Sequence, residues 1–189
     1  MKEKELFEYG DINTKRLLLR RINMGDLNDF IELNKDELTN KFLGGIKDVS
    51  ITKNFIENTI NTYKMNKIDT FALVLKEEDK VIGHVGLKIK ENDNKGTISY
   101  VINSNYWHKG YCTEAMTKLI EIGFNVLKLN RIEADCVKDN IASISVLNKL
   151  GMIYEGTKRS SGYDKINKEY FDFNFYSILK DEYKANHLK

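Results

Sequence analysis

Residues 105–115, Asn-Tyr-Trp-His-Lys-Gly-Tyr-Cys-Thr-Glu-Ala, set one glycine, Gly110, between an aromatic and cationic shoulder and a run that favours helix. The first backbone N–H groups of a helix have no partner inside it and lie at the positive end of its dipole. A strand, a glycine turn and a helix in that order can therefore hold a phosphate group. Glycine admits close backbone approach where a Cβ would meet phosphate oxygens, and Lys109 and Thr113 can add side-chain donors. A glycine that only makes the turn fits the same residues. The stretch lacks the Gly-Lys-Ser/Thr ending of a Walker loop and the three glycines of a dinucleotide fingerprint, so a mononucleotide is not its natural ligand.

Asn140 and Ser143, three residues apart at the head of a second helical run, read by themselves as an N-cap and a first-turn residue. The two cysteines, Cys112 and Cys136, form no metal-ligand spacing with each other or with His84, His108 and His187, so no metal is expected. Cys112 as a covalent nucleophile is disfavoured, because no His–Asp pair is evident to activate it. Glu114 is expected to act on the helix dipole, and His108 to face solvent. His84 either lines a cleft or is simply exposed.

Elements must position these groups. Residues 16–21 read as a short strand, and Leu27, Phe30, Ile31 and Leu33 give the following segment a helical stripe. A second helix is expected over residues 51–65. Residues 70–77, 80–91 and 96–103 read as strands joined by polar turns, an antiparallel meander. From Ala115 the period changes, with Ala115, Leu119, Ile122 and Val126 forming an apolar stripe at helical spacing. Residues 131–137 are a strand, and a helix runs from Asn140 to a stop at Gly151. Residues 152–159 and 168–180 close the chain as strands, the second with aromatics expected mostly in the core. The pattern is an α/β (α+β) fold with helices on the faces of one sheet.

The chain of 189 residues suits a single domain, 1–189, large enough to bury a core without disulfides or metal. Thirty Lys and Arg stand interleaved with 28 Asp and Glu, for a net charge of +2, which argues against direct nucleic-acid binding by bulk charge. No apolar run approaches the ~20 residues of a membrane span, so no membrane partner is expected. The first residues alternate charge and lack the apolar region of a signal peptide, which makes the cytoplasm the expected location. Monomer and homodimer both remain open.

Residues 107–115, WHKGYCTEA, resemble the acyl-CoA pyrophosphate loop of GNAT-superfamily N-acetyltransferases, in the W-G-K-G-Y-A-T-E-A form of the ribosomal-protein N-terminal (Rim-type) branch. Residues 129–156, with RIEA, DNIAS and VLNKLG, are similar to that branch's L-x-R-I-x-A, N-x-x-S and V-L-x-K-L-G-F segments. NTKRLLLR, VIGHVGL and INKEYFDFNFYSILKDEY resemble its opening strand, its hairpin and its closing strand. These five segments run in order from Thr14 to Tyr183.

The resemblance implies a GNAT fold: a mixed, mostly antiparallel central sheet with helices on both faces. That sheet would splay between the strands at 96–103 and 131–137, with the pantetheine arm of acetyl-CoA in the split. Lys109, Gly110, Tyr111, Cys112 and Thr113 would hold the pyrophosphate. Asn140 would bond the pantetheine, and the backbone of Val101 and Ile102 would position the thioester. Ser143 would donate a proton to the departing thiolate. The family often carries a glutamate base on the central strand, but this chain has Thr97 there. A second pattern, an acid three residues before the asparagine that opens the closing strand, points to Asp164 by counting back from Asn167.

Acetyl transfer needs a neutral amine, a stabilised oxyanion and a proton for the thiolate. An α-amine titrates near ~7.7–8.0 and a lysine near ~10.4, so a site without a strong base suits an α-amine. The expected activity is acetyl transfer from acetyl-CoA to a protein N-terminus, of a ribosomal protein on the branch resemblance. The alternatives are a small-molecule amine (polyamine, amino acid or aminoglycoside) and a CoA-binding regulatory module without turnover. Specificity is expected to lie in residues 24–65 and in a loop from 159 to 167.

Overall fold

A computed structural model describes residues 1–164 and 168–187. The N-terminal helix α1 (Lys2–Tyr9), which the sequence pattern did not suggest, buries Leu6 completely. The short strand β1 (Ile12–Asn13) pairs with β2 (Leu17–Arg20). A 3₁₀ turn then leads into α2 (Leu27–Lys35), followed by the single turn α3 (Glu37–Asn40) and the long α4 (Val49–Lys64). The meander follows as β3 (Thr70–Leu75), β4 (Lys80–Lys90) and β5 (Lys95–Ile102). Helix α5 (Tyr111–Asn125) crosses over to β6 (Arg131–Val137), and α6 (Ile141–Lys149) follows. The hairpin of β7 (Ile153–Asp164) and β8 (Glu169–Leu179) and the helix α7 (Lys180–His187) complete the described chain.

The eight strands form one sheet in the order β1-β2-β3-β4-β5-β6-β8-β7. All neighbours are antiparallel except β5 and β6, which the α5 crossover makes parallel. That parallel ladder has three rungs: Lys95 opposite Arg131, Gly96 opposite Ile132 and Thr97 opposite Glu133. Beyond them each strand pairs only outward, β5 with β4 as far as Ile102 and β6 with β8 as far as Val137. The expected splay is therefore present, and it opens just past Thr97 and Glu133.

Each face of the sheet has its own helices. On one, α5 lies close to the strands: a Cβ at Gly123 would stand 2.7 Å from Ile132 Cδ1. On the other, Phe30 of α2 and Phe55 of α4 pack against His84 of β4, with ring centroids 6.0 and 5.2 Å away. Paired residues in a ladder share a face, so His84, Val101, Thr97, Glu133 and Asp135 all point to the α2/α4 side. On the closing strand Tyr176 is buried, Phe171, Phe173 and Phe175 are half-buried and Tyr170 is exposed, so these aromatics are less of a core than expected. Among the described residues no helix is long and apolar enough to cross a membrane.

The segment expected to be a loop after Arg159 is instead strand as far as Asp164, which pairs with Glu169. Ser160, at φ 49°, and a register shift between Lys158 and Gly162 let the polar Ser-Ser-Gly stretch stay in the ladder. Asn167 lies outside the described residues.

Candidate active site

The head of α5 is built around left-handed backbone. Gly110 caps the helix at φ 80°, and His108 adopts φ 60° two residues earlier. A Cβ on Gly110 would meet only Arg16 Nη2, at 3.5 Å, so the conformation rather than crowding by protein atoms demands glycine here. The first helical bond runs from Glu114 N–H to Gly110 C=O at 3.0 Å, which leaves the N–H groups of Tyr111, Cys112 and Thr113 at the open end of the dipole.

This turn is braced from the other end of the chain. Glu114 accepts from Thr14 Oγ1 at 2.6 Å, from Arg16 N–H at 2.8 Å and from Arg16 Nε at 2.7 Å. Arg16 Nη1 donates to the Lys109 carbonyl at 2.9 Å, and its guanidinium lies 4.4 Å from the centroid of the Tyr111 ring. Burial would raise the Glu114 carboxyl, but the bonds from Thr14 and Arg16 outweigh it and hold the group below the usual range. Glu114 thus does more than meet the helix dipole. Sequence reasoning missed Arg16 in this role because no local pattern links residues 98 apart. Lys109 and His108 are exposed, as expected for His108. Burial pushes the Cys112 thiol up to about 12, so it is not a thiolate near neutral pH and the nucleophile reading falls away.

At the end of β5, Val101 is half-buried and Ile102 buried. The Ile102 carbonyl accepts from Trp107 Nε1 at 2.7 Å and from Thr39 Oγ1 at 3.2 Å, which ties α3 to the strand end. Across the split, Asn140 caps α6 by accepting from Ser143 N–H at 3.1 Å. The cap reading of this pair holds, and the Asn140 amide N–H groups remain available to a ligand. The Ser143 Oγ lies 2.7 Å from Tyr100 Oη and also reaches the Cys136 thiol. Ser143 therefore bridges a residue of β5 and one of β6 on the α5/α6 side of the split. Tyr100, whose phenol burial raises well above its usual range, was not singled out from the sequence. The residues expected to bind cofactor thus all gather at the C-terminal end of the two parallel strands.

The position without the family glutamate is closed by charge pairing. Thr97 Oγ1 is 3.5 Å from Glu133, which is held by Lys95 at 2.7 Å and Arg131 at 3.1 Å. Arg131 also forks onto Glu155, which accepts from Ser177 at 2.7 Å. Burial raises Glu133, but Lys95 and Arg131 outweigh this and lower it, so it stays ionised and paired. Asp164 stands elsewhere, on the wall of a cleft of about 430 Å³. Lys41, Phe42 and Gly44 form one side of that cleft, the β7–β8 hairpin the other, and Val137, Lys138 and Asp139 lie between them.

On the α2/α4 face, His84 has its Nδ1 buried without a hydrogen-bond partner. Burial, helped by the charge on Lys47, lowers its pKa to about 4, so the ring is neutral near pH 7. Its side chain is thus enclosed by Phe30 and Phe55 rather than freely exposed.

Residues 16–153 match the family described as "Acetyltransferase (GNAT) domain". The chain is 34% identical over 173 residues to "Uncharacterized N-acetyltransferase p20" of Bacillus licheniformis, covering 90% of this chain and 96% of that protein. Its fold is similar to a GNAT-family acetyltransferase structure from Bacillus anthracis, with a TM-score of 0.82, 28% identity and coverage of 91% and 99% of the two chains. The microcin C7 self-immunity acetyltransferase MccE, solved with acetyl-CoA and AMP, shares the fold at a TM-score of 0.75 and 22% identity, covering 88% of this chain and 93% of that one. With the split sheet and the open head of α5, these matches show that the chain belongs to the GNAT acetyltransferase family, an acyltransferase that uses acetyl-CoA as its donor.

Proposed function

We propose that the chain acetylates the N-terminal α-amine of a protein, with a ribosomal protein as the narrower form of this reading. The cleft beside the split carries it. Its walls combine carboxylates (Asp139, Asp164, Glu169) with Phe42, Tyr163 and Tyr170, a lining that suits an ammonium group attached to an extended, partly apolar chain. Leu38, Leu43 and Ile46 are exposed on the neighbouring segment and add apolar surface of the kind a polypeptide covers. The site also matches an α-amine electronically, because near pH 7 such an amine needs to lose its proton from a pKa of only ~7.7–8.0.

In this reading Lys109 and Gly110, with the N–H groups of Tyr111, Cys112 and Thr113, hold the pyrophosphate of acetyl-CoA. The Asn140 amide bonds the pantetheine, and the backbone at Val101 and Ile102 aligns the thioester. Ser143, accepting from Tyr100, turns its own proton toward the thiolate. Asp164 meets the acceptor from the cleft wall. The setting is cytoplasmic.

The carboxylates would also attract a small polyamine or amino acid, which makes that the second reading. Thiol release from acetyl-CoA separates the two when peptides beginning Ala, Ser or Met are compared with polyamines, amino acids and aminoglycosides. Peptides are expected to give the highest kcat/KM. Faster turnover of a small amine would replace the reading. Background rates with every amine, alongside stabilisation by acetyl-CoA, would leave a binding module.

A further inference from the structure

We propose that Asp135 is the base that takes the proton from the incoming amine. The inference rests on the acetyl-transfer reading above and supplies the group that Thr97 does not.

The placement comes from the ladders. Glu133 is the last residue of β6 paired with β5, and Asp135 is two residues further on the same face, at the mouth of the split. Its neighbour across β6–β8 is Phe175, so its carboxylate looks out over the α2/α4 side, the side on which Val101 and His84 also lie. Val137, two residues beyond on that face, lines the acceptor cleft. One pleat repeat, about 6.6 Å, thus separates the cleft lining from Asp135. An amine entering between residues 41–44 and the hairpin would descend onto this carboxylate with the β5 strand end opposite it.

Its partners set it apart. Glu133 is tied to Lys95 and Arg131, Glu155 to Arg131, Asp172 to Lys138, and Asp36 to Thr39 and Ser104. Asp135 makes no hydrogen bond or ion pair among the described residues, although it projects beside a cationic side chain. The charges that reach it are Glu133 on its own strand and Lys158 on β7, whose ammonium rests 5.4 Å from the centroid of the Phe175 ring. The facing residues of β5, Thr97 and Ser99, are uncharged. The side chain is open to solvent at the mouth of the split, yet enclosure by the protein, with Glu133 adding to it and Lys158 opposing, raises its carboxyl above the usual range. A carboxylate raised in this way is a better base.

The protons balance as follows. Asp135 takes the first proton from the ammonium and passes it to solvent. The neutral nitrogen then adds to the thioester carbonyl, forming the C–N bond, and the C–S bond breaks with its electron pair on sulfur. The second nitrogen proton reaches the sulfur by way of the Ser143 hydroxyl, leaving the amide and the CoA thiol.

The test is kcat against pH, with saturating acetyl-CoA and the best amine, for the wild-type chain and for Asp135→Asn, Asp135→Glu and Ser143→Ala. Stabilisation by acetyl-CoA checks that each variant is folded and loaded. Asp135→Asn is expected to keep that stabilisation and to lose about 10²-fold or more in kcat. Its rate should also fall away below the amine's own pKa of ~7.7–8.0, whereas the wild-type rate persists to lower pH. Asp135→Glu should regain part of the loss, and Ser143→Ala should slow the reaction without moving the acid limb. A wild-type rate and limb in Asp135→Asn, or loss of its acetyl-CoA stabilisation, would overturn the assignment. A wild-type chain that turns over no amine would remove the transfer reading and the base with it.

Discussion

At the head of α5, Thr14, Arg16, Glu114 and the Lys109 carbonyl satisfy one another and fix a turn whose free N–H groups point outward. Across the split on the α2/α4 face, two polar groups have no hydrogen-bond partner among the described residues: the buried Nδ1 of His84 and the carboxylate of Asp135. The first region spends its side chains on holding backbone in place. The second holds side chains ready for something that arrives. Such a division suits an enzyme with one constant donor, which a rigid cradle can meet, and an acceptor that must be recognised and deprotonated during each turnover.

The contrast is broken most severely at Gly110. Gly110→Val puts a β-branched residue at φ 80°, a conformation that costs it roughly 1–2 kcal/mol or more, and places a side chain among the free N–H groups. Acetyl-CoA at ~100 times its dissociation constant stabilises a single-site protein by about 2.7 kcal/mol, and thermal unfolding should show this gain vanish in the variant. An undiminished shift would place the donor somewhere other than the head of α5.

A smaller effect is expected from Glu114→Ala, which takes the carboxylate from Arg16 and leaves it the Lys109 carbonyl and the Tyr111 ring. Charged hydrogen bonds are worth ~1.5–3 kcal/mol, and discounting for the partly exposed Arg16 leaves about 1–2 kcal/mol. That lowers Tm by roughly 2–8 °C for a chain of this size, with weaker acetyl-CoA binding. If melting is unchanged, the brace is decorative and the two regions differ less than their bonding suggests.

The effect that is smallest near neutral pH, and that grows as pH falls, sharpens the other side. The His84 pKa is depressed to about 4 from 6.5, so the unfolded chain binds more protons than the folded one between those values. Stability should therefore be highest above pH 6.5 and decline as pH falls toward 4. His84→Phe should flatten this decline in denaturant titrations across the window. A variant with the same slope would show that the ring titrates normally and is open to water.

The starts of α5 and α6 were legible because their signals are local. Gly110 before a helix-forming run, and Asn140 three residues before Ser143, are short patterns with a direct backbone meaning. The meander and the splay followed from strand periods and from the family resemblance. Arg16 escaped because its bond to Glu114 spans 98 residues, and Tyr100 because a tyrosine in a strand reads as packing. Asp135 carried no mark either: an acid alternating with apolar neighbours is what any half-exposed strand shows. Its meaning depends on where the β5–β6 ladder stops, which is a tertiary property. The hairpin differs from the expected loop because Ser160 and Ser161 sit at a register shift, after which the strand resumes with Gly162 opposite Phe171.

The three-rung seam between β5 and β6 has a consequence for the stability of the folded chain. Two half-sheets meet there, and among the described residues β5 and β6 stop pairing with each other past Thr97 and Glu133. The amide-bearing arm of acetyl-CoA is chemically suited to serve as the missing strand. On the acetyl-transfer reading, a donor held in that gap would add to the stability of the folded chain by an amount that grows with its concentration relative to its dissociation constant.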